Sequence, residues 1–282
     1  MHDYTIRSMT SGEVRNIAIR WAAEEGWNPG LHDAEVFYRT DPDGFYVGLL
    51  DGEAVSCISA VSYEGRFGFI GFYIVKPEFR GKGYGIKIWG TALQHLHGQN
   101  TGLDGVSEQQ SNYARSGFRF AYRNIRFEGI SRRFSSGSNH ITGYKNEYLE
   151  NLIRYDTLLF PAARPEFLKC WTSLPESKTF ISMKDEKISG YCTVRKCQTG
   201  YKIGPLFAGD TNTAEDLFIA VNNHLPENTV YYLDAPEVNQ DALVLAEKYS
   251  MDRVFETARM YTMGQPDICM NHIYGVTTFE LG

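Results

Sequence analysis

The chain has 282 residues, enough for two ordinary domains or one large one. Hydrophobic residues make up 43% and charged residues 22%, which excludes wholesale disorder and implies a packed globular protein. A formal net charge of −6 argues against broad binding to nucleic acid or anionic membranes, yet leaves room for a local basic patch holding a small anion.

In chain order, YTIRSM alternates in polarity like a strand, and Thr10-Ser11-Gly12-Glu13 has the pattern of a helix N-terminus with an acid nearby. VRNIAIRWAAEEG predicts a helix with Val14, Ile17, Ala18 and Trp21 on one face, stopping at Gly26. A second amphipathic piece, HDAEVFYRT, ends at the turn Asp41-Pro42-Asp43-Gly44. GFYVGLL, AVSCISAVSYE and FGFIGFYIV follow, separated by the short turns DGE and GR, and read as an antiparallel meander. FRGKGYG, Phe79 to Gly85, then joins the last of these strands to IKIWGTALQHL, which has helical spacing. TGLDGV, a polar stretch, the short helix SNYARSG and the strand FRFAYRNIRFEG close this half.

Residues 129–143, GISRRFSSGSNHITG, are rich in Ser and Gly without apolar period and predict a linker, in which Arg132 and Arg133 are either solvated or a phosphate contact. The second half repeats the order of elements: helices in NEYLENLIRYDTLLF and PEFLKCWTSL, three strands across FISMKDEKISGYCTVRKCQTGYKIGPLFA, the helix TAEDLFIAVNNHL, the strand TVYYLDAP, the helix NQDALVLAEKYS and the strand DRVFETARMYTM. We read two copies of one α+β fold, over 1–128 and 144–282, with a single large mixed sheet as the competing architecture.

Five scattered cysteines with no Cys-x-x-Cys signal neither a zinc site nor a disulfide framework. His95 and His97, two apart on a helix, point to different faces, and no metal is expected. MHDYTIRSMTSGEV lacks a signal-peptide pattern and no run approaches the ~18 apolar residues of a membrane span, so a soluble cytoplasmic protein without a membrane partner is expected. Oligomeric state is not legible.

The glycine-rich turn is the chemical clue. Successive N–H groups entering a helix form an anion cradle, glycines let a ligand approach the backbone, and Arg80 and Lys82 add charge. A P-loop would need Ser or Thr after the lysine, and GKGYGIKI has none there. A Rossmann fingerprint would need Gly-x-Gly-x-x-Gly directly after a first parallel strand; the spacing here is Gly-x-Gly-x-Gly after a meander, which leaves a nucleotide-dependent oxidoreductase as a weak alternative resting on Asp104.

The run V-x-P-x-x-R-G-x-G-x-G, Val75 to Gly85, resembles the acyl-CoA loop of the GCN5-related N-acetyltransferases (GNATs), with Arg80, Gly83 and Gly85 at the positions of the signature Arg/Gln-x-x-Gly-x-Gly/Ala. Tyr113-Ala114-Arg115-Ser116-Gly117-Phe118 is similar to that family's later Tyr-x-x-x-Gly-Phe element, and the order of elements over residues 4–128 matches. The later half, ending IYGVTTFELG, is similar to the C-terminal domain of two-domain members. The resemblance implies two tandem GNAT-like domains, each a mostly antiparallel mixed sheet flanked by helices, the second degenerate.

It further implies an N-acetyltransferase moving acetyl from acetyl-CoA to a primary amine of a small molecule or peptide, or else a catalytically silent acyl-CoA-binding protein. The main chain of Ile74 and Val75 would pair with the pantetheine arm. Amides of Gly81, Lys82, Gly83, Tyr84 and Gly85, with the Arg80 side chain, would hold the pyrophosphate, and Lys87 would steer it or stay solvated. Tyr113 stands where the family places a general acid for the departing thiolate. FGFIGFYIV has no acid that could act as base, which turns attention to Glu24 and Glu25, beside the acceptor-loop residues Trp27 and Asn28. At the matching turn the second copy reads FAGDTNTAEDLF, with one glycine, no cation, and acids at Asp210, Glu215 and Asp216, so one acyl-CoA site per chain is expected. Asp234 and Asn239 are either a polar-ligand site or a turn and helix cap.

Overall fold

Residues 3–135 and 140–282 are described by the structure, a computed structural model. After β1 (Tyr4–Ser8), Thr10 and Glu13 form a reciprocal capping box at α1 (Ser11–Glu13). The helix continues through a π-helical stretch, Val14–Ile19, into α2 (Arg20–Glu24), so the regular helix expected there is widened in its middle. Of its expected apolar face, Val14, Ala18 and Trp21 are buried and Ile17 partly so. α3 (Asp33–Thr40) and the meander β2 (Phe45–Leu50), β3 (Glu53–Tyr63) and β4 (Phe67–Val75) follow. α4 (Tyr84–His95) comes next and buries Ile88, Trp89 and Ala92 against the sheet. β5 (Asn100–Gly105), α5 (Gln110–Arg115) and β6 (Arg119–Ile130) complete this half.

The second half runs β7 (Ile141–Gly143), α6 (Leu149–Asp156), α7 (Pro165–Trp171), β8 (Ser177–Lys184), β9 (Lys187–Lys196) and β10 (Tyr201–Ala208). It continues with α8 (Thr211–His224), β11 (Val230–Pro236), α9 (Gln240–Lys248), β12 (Asp252–Tyr261) and β13 (Ile273–Gly275). The linker expected over 129–143 needs correcting at both ends. Gly129 and Ile130 still pair with Tyr231 and Val230, and Ile141–Gly143 pair with β8, because ladder hydrogen bonds tolerate small polar residues. Residues 136–139 of that segment lie outside the described residues, and Arg132 and Arg133 are exposed.

The strands of both halves form one sheet, in the order β1-β2-β3-β4-β5-β12-β6-β11-β10-β9-β8-β7, with β13 against β10. The two copies are real as an order of elements, but they share a sheet. β12, from the second half, lies between β5 and β6, with Ala258 opposite Gly105 on one side and Glu256 opposite Ile125 on the other. β6 in turn pairs with β11, Phe127 facing Leu233. Each half therefore completes the other's ladder, and among the described residues no strand edge is left unpaired where they meet.

Each half also contains one parallel pair whose strands then part. β4 and β5 pair from Phe67↔Asn100 to Ile70↔Leu103, and β10 and β11 from Tyr201↔Tyr231 to Ile203↔Leu233. In the second half the gap is filled by β13, which pairs Gly275 with Leu206 and Ile273 with Phe207. In the first half, no described strand continues beside Gly71–Val75 on the β5 side.

The largest apolar cluster bridges the halves: Phe37 of α3 stacks on the fully buried Trp171 of α7, ring centroids 6.3 Å apart. Three buried ion pairs bridge them too, Arg195 with Asp33, Arg259 with Asp104 and Arg126 with Asp234. Such pairs add little net stability over apolar residues but specify which strands meet, since a mismatch strands a charge in the interior.

Candidate active site

Between β4 and α4 the chain makes a single 3₁₀ turn, Pro77–Phe79, then turns through Gly81 (φ +75°) and Gly83 (φ +85°). Both lie in the left-handed region where a side chain is strained, and a Cβ at either would meet nothing within 4 Å. The space over this backbone is open. Gly83 is the N-cap of the twelve-residue α4, so its unpaired N–H groups and positive dipole end border that space. The loop thus presents open backbone at a helix N-terminus, a geometry that can take an anion.

From the loop, a cavity of about 590 Å³ runs along the unpaired edge of β4 toward the second half. Of the residues singled out in the sequence, Ile74, Val75, Arg80, Gly81, Gly83, Gly85, Tyr113, Glu25 and Trp27 line it. Four do not. Lys82 holds its ammonium 5.4 Å over the Phe79 ring, and Tyr84 packs on Tyr4 at 4.8 Å. Glu24 is exposed beside Arg20, and Asn28 exchanges two hydrogen bonds of 2.9 Å with the Thr199 backbone. Asn28 therefore ties the loop after α2 to the second half, and its polarity serves that contact. Lys87 sits 5.4 Å over the Tyr4 ring. Asp210 caps α8, accepting from the Thr213 amide, and Asn239 likewise caps α9. Asp234 is no cap: it accepts both hydrogen bonds of the Arg126 guanidinium fork, at 2.7 and 2.8 Å.

Arg80 donates from Nε to the Val75 carbonyl at 2.8 Å and from Nη2 to Glu25 at 2.5 Å, so it is drawn back along the end of β4. Tyr113 is 9% exposed and stacks on Trp89 at 5.4 Å. Its ring occupies the space over Gly105, where a Cβ would lie 2.3 Å from a ring carbon. Burial pushes its phenol above the ordinary value of 10.0, with Tyr73 adding to the effect, so it stays protonated across the neutral range.

The far end of the cavity is built largely by residues the sequence reading passed over: Arg126, Phe255, Thr257, Phe279 and Glu280. The Arg126 guanidinium lies 4.8 Å over the Phe279 ring and donates to the Trp27 carbonyl at 3.2 Å. Burial would raise the Asp234 carboxyl, but Arg126 outweighs that and holds it below its ordinary value. Lys202, buried beneath and donating to the same Trp27 carbonyl at 3.1 Å, has its pKa lowered by burial and then by Arg126. A lone acid in the otherwise uncharged run IYGVTTFELG was the available signal for Glu280, since a charge among apolar neighbours is kept only for a reason.

Among the described residues no three His, Cys, Asp or Glu side chains are grouped to hold a metal ion, and no helix is long and apolar enough to cross a membrane.

Comparison with known proteins bears on this geometry. Residues 13–118 match the model of the acetyltransferase (GNAT) family, and residues 152–275 match an acetyltransferase (GNAT) domain model. The chain is 30% identical over 270 residues to holothin acyltransferase of Pseudoalteromonas sp. (strain SANK 73390), covering 96% of this chain and 92% of that protein. In fold it is similar to an acetyltransferase structure from Pyrococcus horikoshii, with a TM-score of 0.83 at 21% identity over 99% of this chain and 96% of the other. It is also similar to a tandem GNAT protein from the clavulanic acid biosynthesis pathway, with a TM-score of 0.64 at 14% identity over 94% and 100%. The open glycine cradle and the parted strands thus sit within a chain that belongs to the GCN5-related N-acetyltransferase family, a tandem GNAT-type acyltransferase whose two halves share one sheet.

Proposed function

We propose that the protein transfers an acetyl group from acetyl-CoA to a primary amine on a small molecule, using one site per chain in the first half. The observation that carries this is the continuity of the glycine cradle, the unpaired edge of β4 and Tyr113 along a single cavity. The amides of the loop and the α4 N-terminus would hold the pyrophosphate, with Arg80 exchanging its Glu25 contact for it. Ile74 and Val75 offer the main-chain groups of an unpaired strand edge to the pantetheine amides. When bound, acetyl-CoA supplies a thioester, an acyl group already activated toward amines. Tyr113, protonated and buried, donates a proton to the sulfur as it leaves.

Filling of the second gap by β13 supports a single site more strongly than the acids at the degenerate turn do, because strand pairing there uses the edge a pantetheine arm would need. A small-molecule acceptor is favoured over a peptide on two grounds. The relative at 30% identity is named for acylating holothin. A cavity of about 590 Å³ shared by donor and acceptor is also in the ordinary range for small ligands.

The test is thiol release from acetyl-CoA against a panel of amines, amino acids and peptides, with Gly83→Asp as the inactive control. Release with a small primary amine and one acetyl-CoA per chain by calorimetry is expected. Binding of acetyl-CoA without release across the panel would favour the silent binding protein instead.

A further inference from the structure

We infer that Glu280, delivered by the segment after β13, accepts the proton that the acceptor amine loses as it attacks; this rests on the acetyltransferase reading above. Four carboxylates line the cavity: Glu25, Asp104, Glu108 and Glu280. Glu25 is bonded to Arg80. Asp104 accepts from both Nε and Nη2 of Arg259, at 2.9 and 2.6 Å, and from Asn124 at 2.7 Å. Glu108 is exposed at the rim. Glu280 alone is both buried, at 3% exposure, and carries a carboxylate oxygen, Oε2, with no hydrogen-bond partner.

An unmatched lone pair inside a protein is expensive, so a substrate donor is the natural occupant. Glu280 is also in the right part of the cavity. Its carbonyl oxygen would lie 2.1 Å from a Cβ on Gly71, the residue at which β4 has just parted from β5. The segment is held firmly: Val276 N–H donates to the Asp234 carbonyl at 2.8 Å, and Arg164 donates to Thr277 Oγ1 at 3.0 Å. Thr278 Oγ1 accepts from the amides of both Glu280 and Leu281, and Tyr63 donates to the Leu281 carbonyl at 2.8 Å. Such anchoring fixes a carboxylate as a side chain on a loose tail could not be fixed. Its carboxylate lies within electrostatic reach of Arg126, Arg195 and Lys202, whose charged forms it favours.

The step balances as follows. The neutral amine's lone pair forms the N–C bond to the acyl carbon, its N–H proton passes to Glu280, the C–S bond breaks, and the departing sulfur takes the Tyr113 proton. Exchange with solvent then returns the Glu280 proton and replenishes the phenol, so one proton has moved from nitrogen to sulfur.

The test uses the full-length protein, acetyl-CoA, the best alkyl amine of the panel and hydroxylamine, a nucleophile that needs far less help in losing its proton at neutral pH. Glu280→Gln is expected to lower kcat with the alkyl amine ~100-fold or more, the usual scale of a positioned base. It should lower kcat with hydroxylamine far less and leave acetyl-CoA affinity by calorimetry unchanged. Equal loss with both nucleophiles, or wild-type kcat with the amine, overturns the assignment of Glu280 alone. Absence of thiol release by the wild-type protein with every amine overturns the acetyltransferase reading and this with it. If Glu280→Gln does not fold, Glu280→Asp decides: partial activity with the amine supports the role, and either full activity or parallel loss with both nucleophiles overturns it.

Discussion

Replacing Gly71 by alanine should damage both stability and turnover, and the size of each effect follows from the contact with the terminal segment. A Cβ at residue 71 would lie 2.1 Å from the Glu280 carbonyl oxygen, 2.9 Å from its carbonyl carbon and 3.0 Å from its Cα. Comfortable non-bonded separations are about 3.5 Å, so the backbones must separate by more than ~1 Å. These are main-chain atoms, and the segment is pinned on both sides through Val276 and Leu281, so the strain cannot be relieved by a rotamer change. Overpacking of this kind costs roughly 1–3 kcal/mol, which for a chain of this size lowers Tm by about 2–5 °C. A displacement near 1 Å at a reacting group reduces turnover on the order of 100-fold. Gly68→Ala is the control on the same strand, because its Cβ would meet side-chain tips and not backbone, Leu96 Cδ at 2.9 Å and Thr101 Oγ1 at 3.0 Å. Thermal denaturation and thiol-release kinetics on the two variants read both effects. Gly71→Ala with wild-type Tm and kcat, or an equal loss in Gly68→Ala, would refute the reasoning.

Four further outcomes are expected. Tyr113→Phe should cut kcat at least ~100-fold while leaving acetyl-CoA affinity unchanged, since the ring keeps its stack on Trp89; unchanged kcat removes Tyr113 from the mechanism. Because the phenol pKa lies above 10.0, the wild-type rate should show no descending limb from Tyr113 as pH rises to that value, and a limb near 9 that vanishes in Tyr113→Phe would contradict this. Gly83→Asp should weaken acetyl-CoA binding by more than ~10-fold in calorimetry with little change in Tm, because the carboxylate enters open space bordering a phosphate cradle; the strain of φ +85° for a non-glycine residue is only ~1–2 kcal/mol. Asp234→Ala should destabilise by about 3–5 kcal/mol in denaturant unfolding by leaving Arg126 buried and unpaired, and a loss below 1 kcal/mol would mean that water or another anion replaces it.

The parts legible in the sequence were those encoded within a few residues of one another. Arg80, Gly81, Gly83 and Gly85 could be read because their spacing alone fixes a turn into a helix, and Asp210 could be read as a cap for the same local reason. The meander and the repeated order of elements were likewise visible through period-two patterns and short turns. What escaped depends on pairings between distant segments. Nothing in DRVFETARMYTM tells that β12 leaves its own half to lie against β5, since either neighbour satisfies its hydrogen bonds. Asn28 and Glu25 stand three residues apart in one polar stretch, yet only Glu25 reaches the cavity, because Asn28 is spent on Thr199. Glu280 escaped for the same reason: its meaning lies in Gly71, far away in the chain.

The exchange of β6 and β12 has a consequence for how the chain matures. During synthesis the first half is complete in sequence long before β12 exists, and until then β5 and β6 lack the strand that joins them. The emerging half therefore presents an open ladder, the kind of edge that templates aggregation and invites chaperones. Its cavity also waits on Phe255, Thr257, Phe279 and Glu280, all of which are made after the first half. Folding must proceed through contacts of long sequence separation, which are slow to form, and unfolding should be a single event and not two. Cutting the gene between the halves would give two fragments that each lack a strand, and activity would return only where the two are brought together.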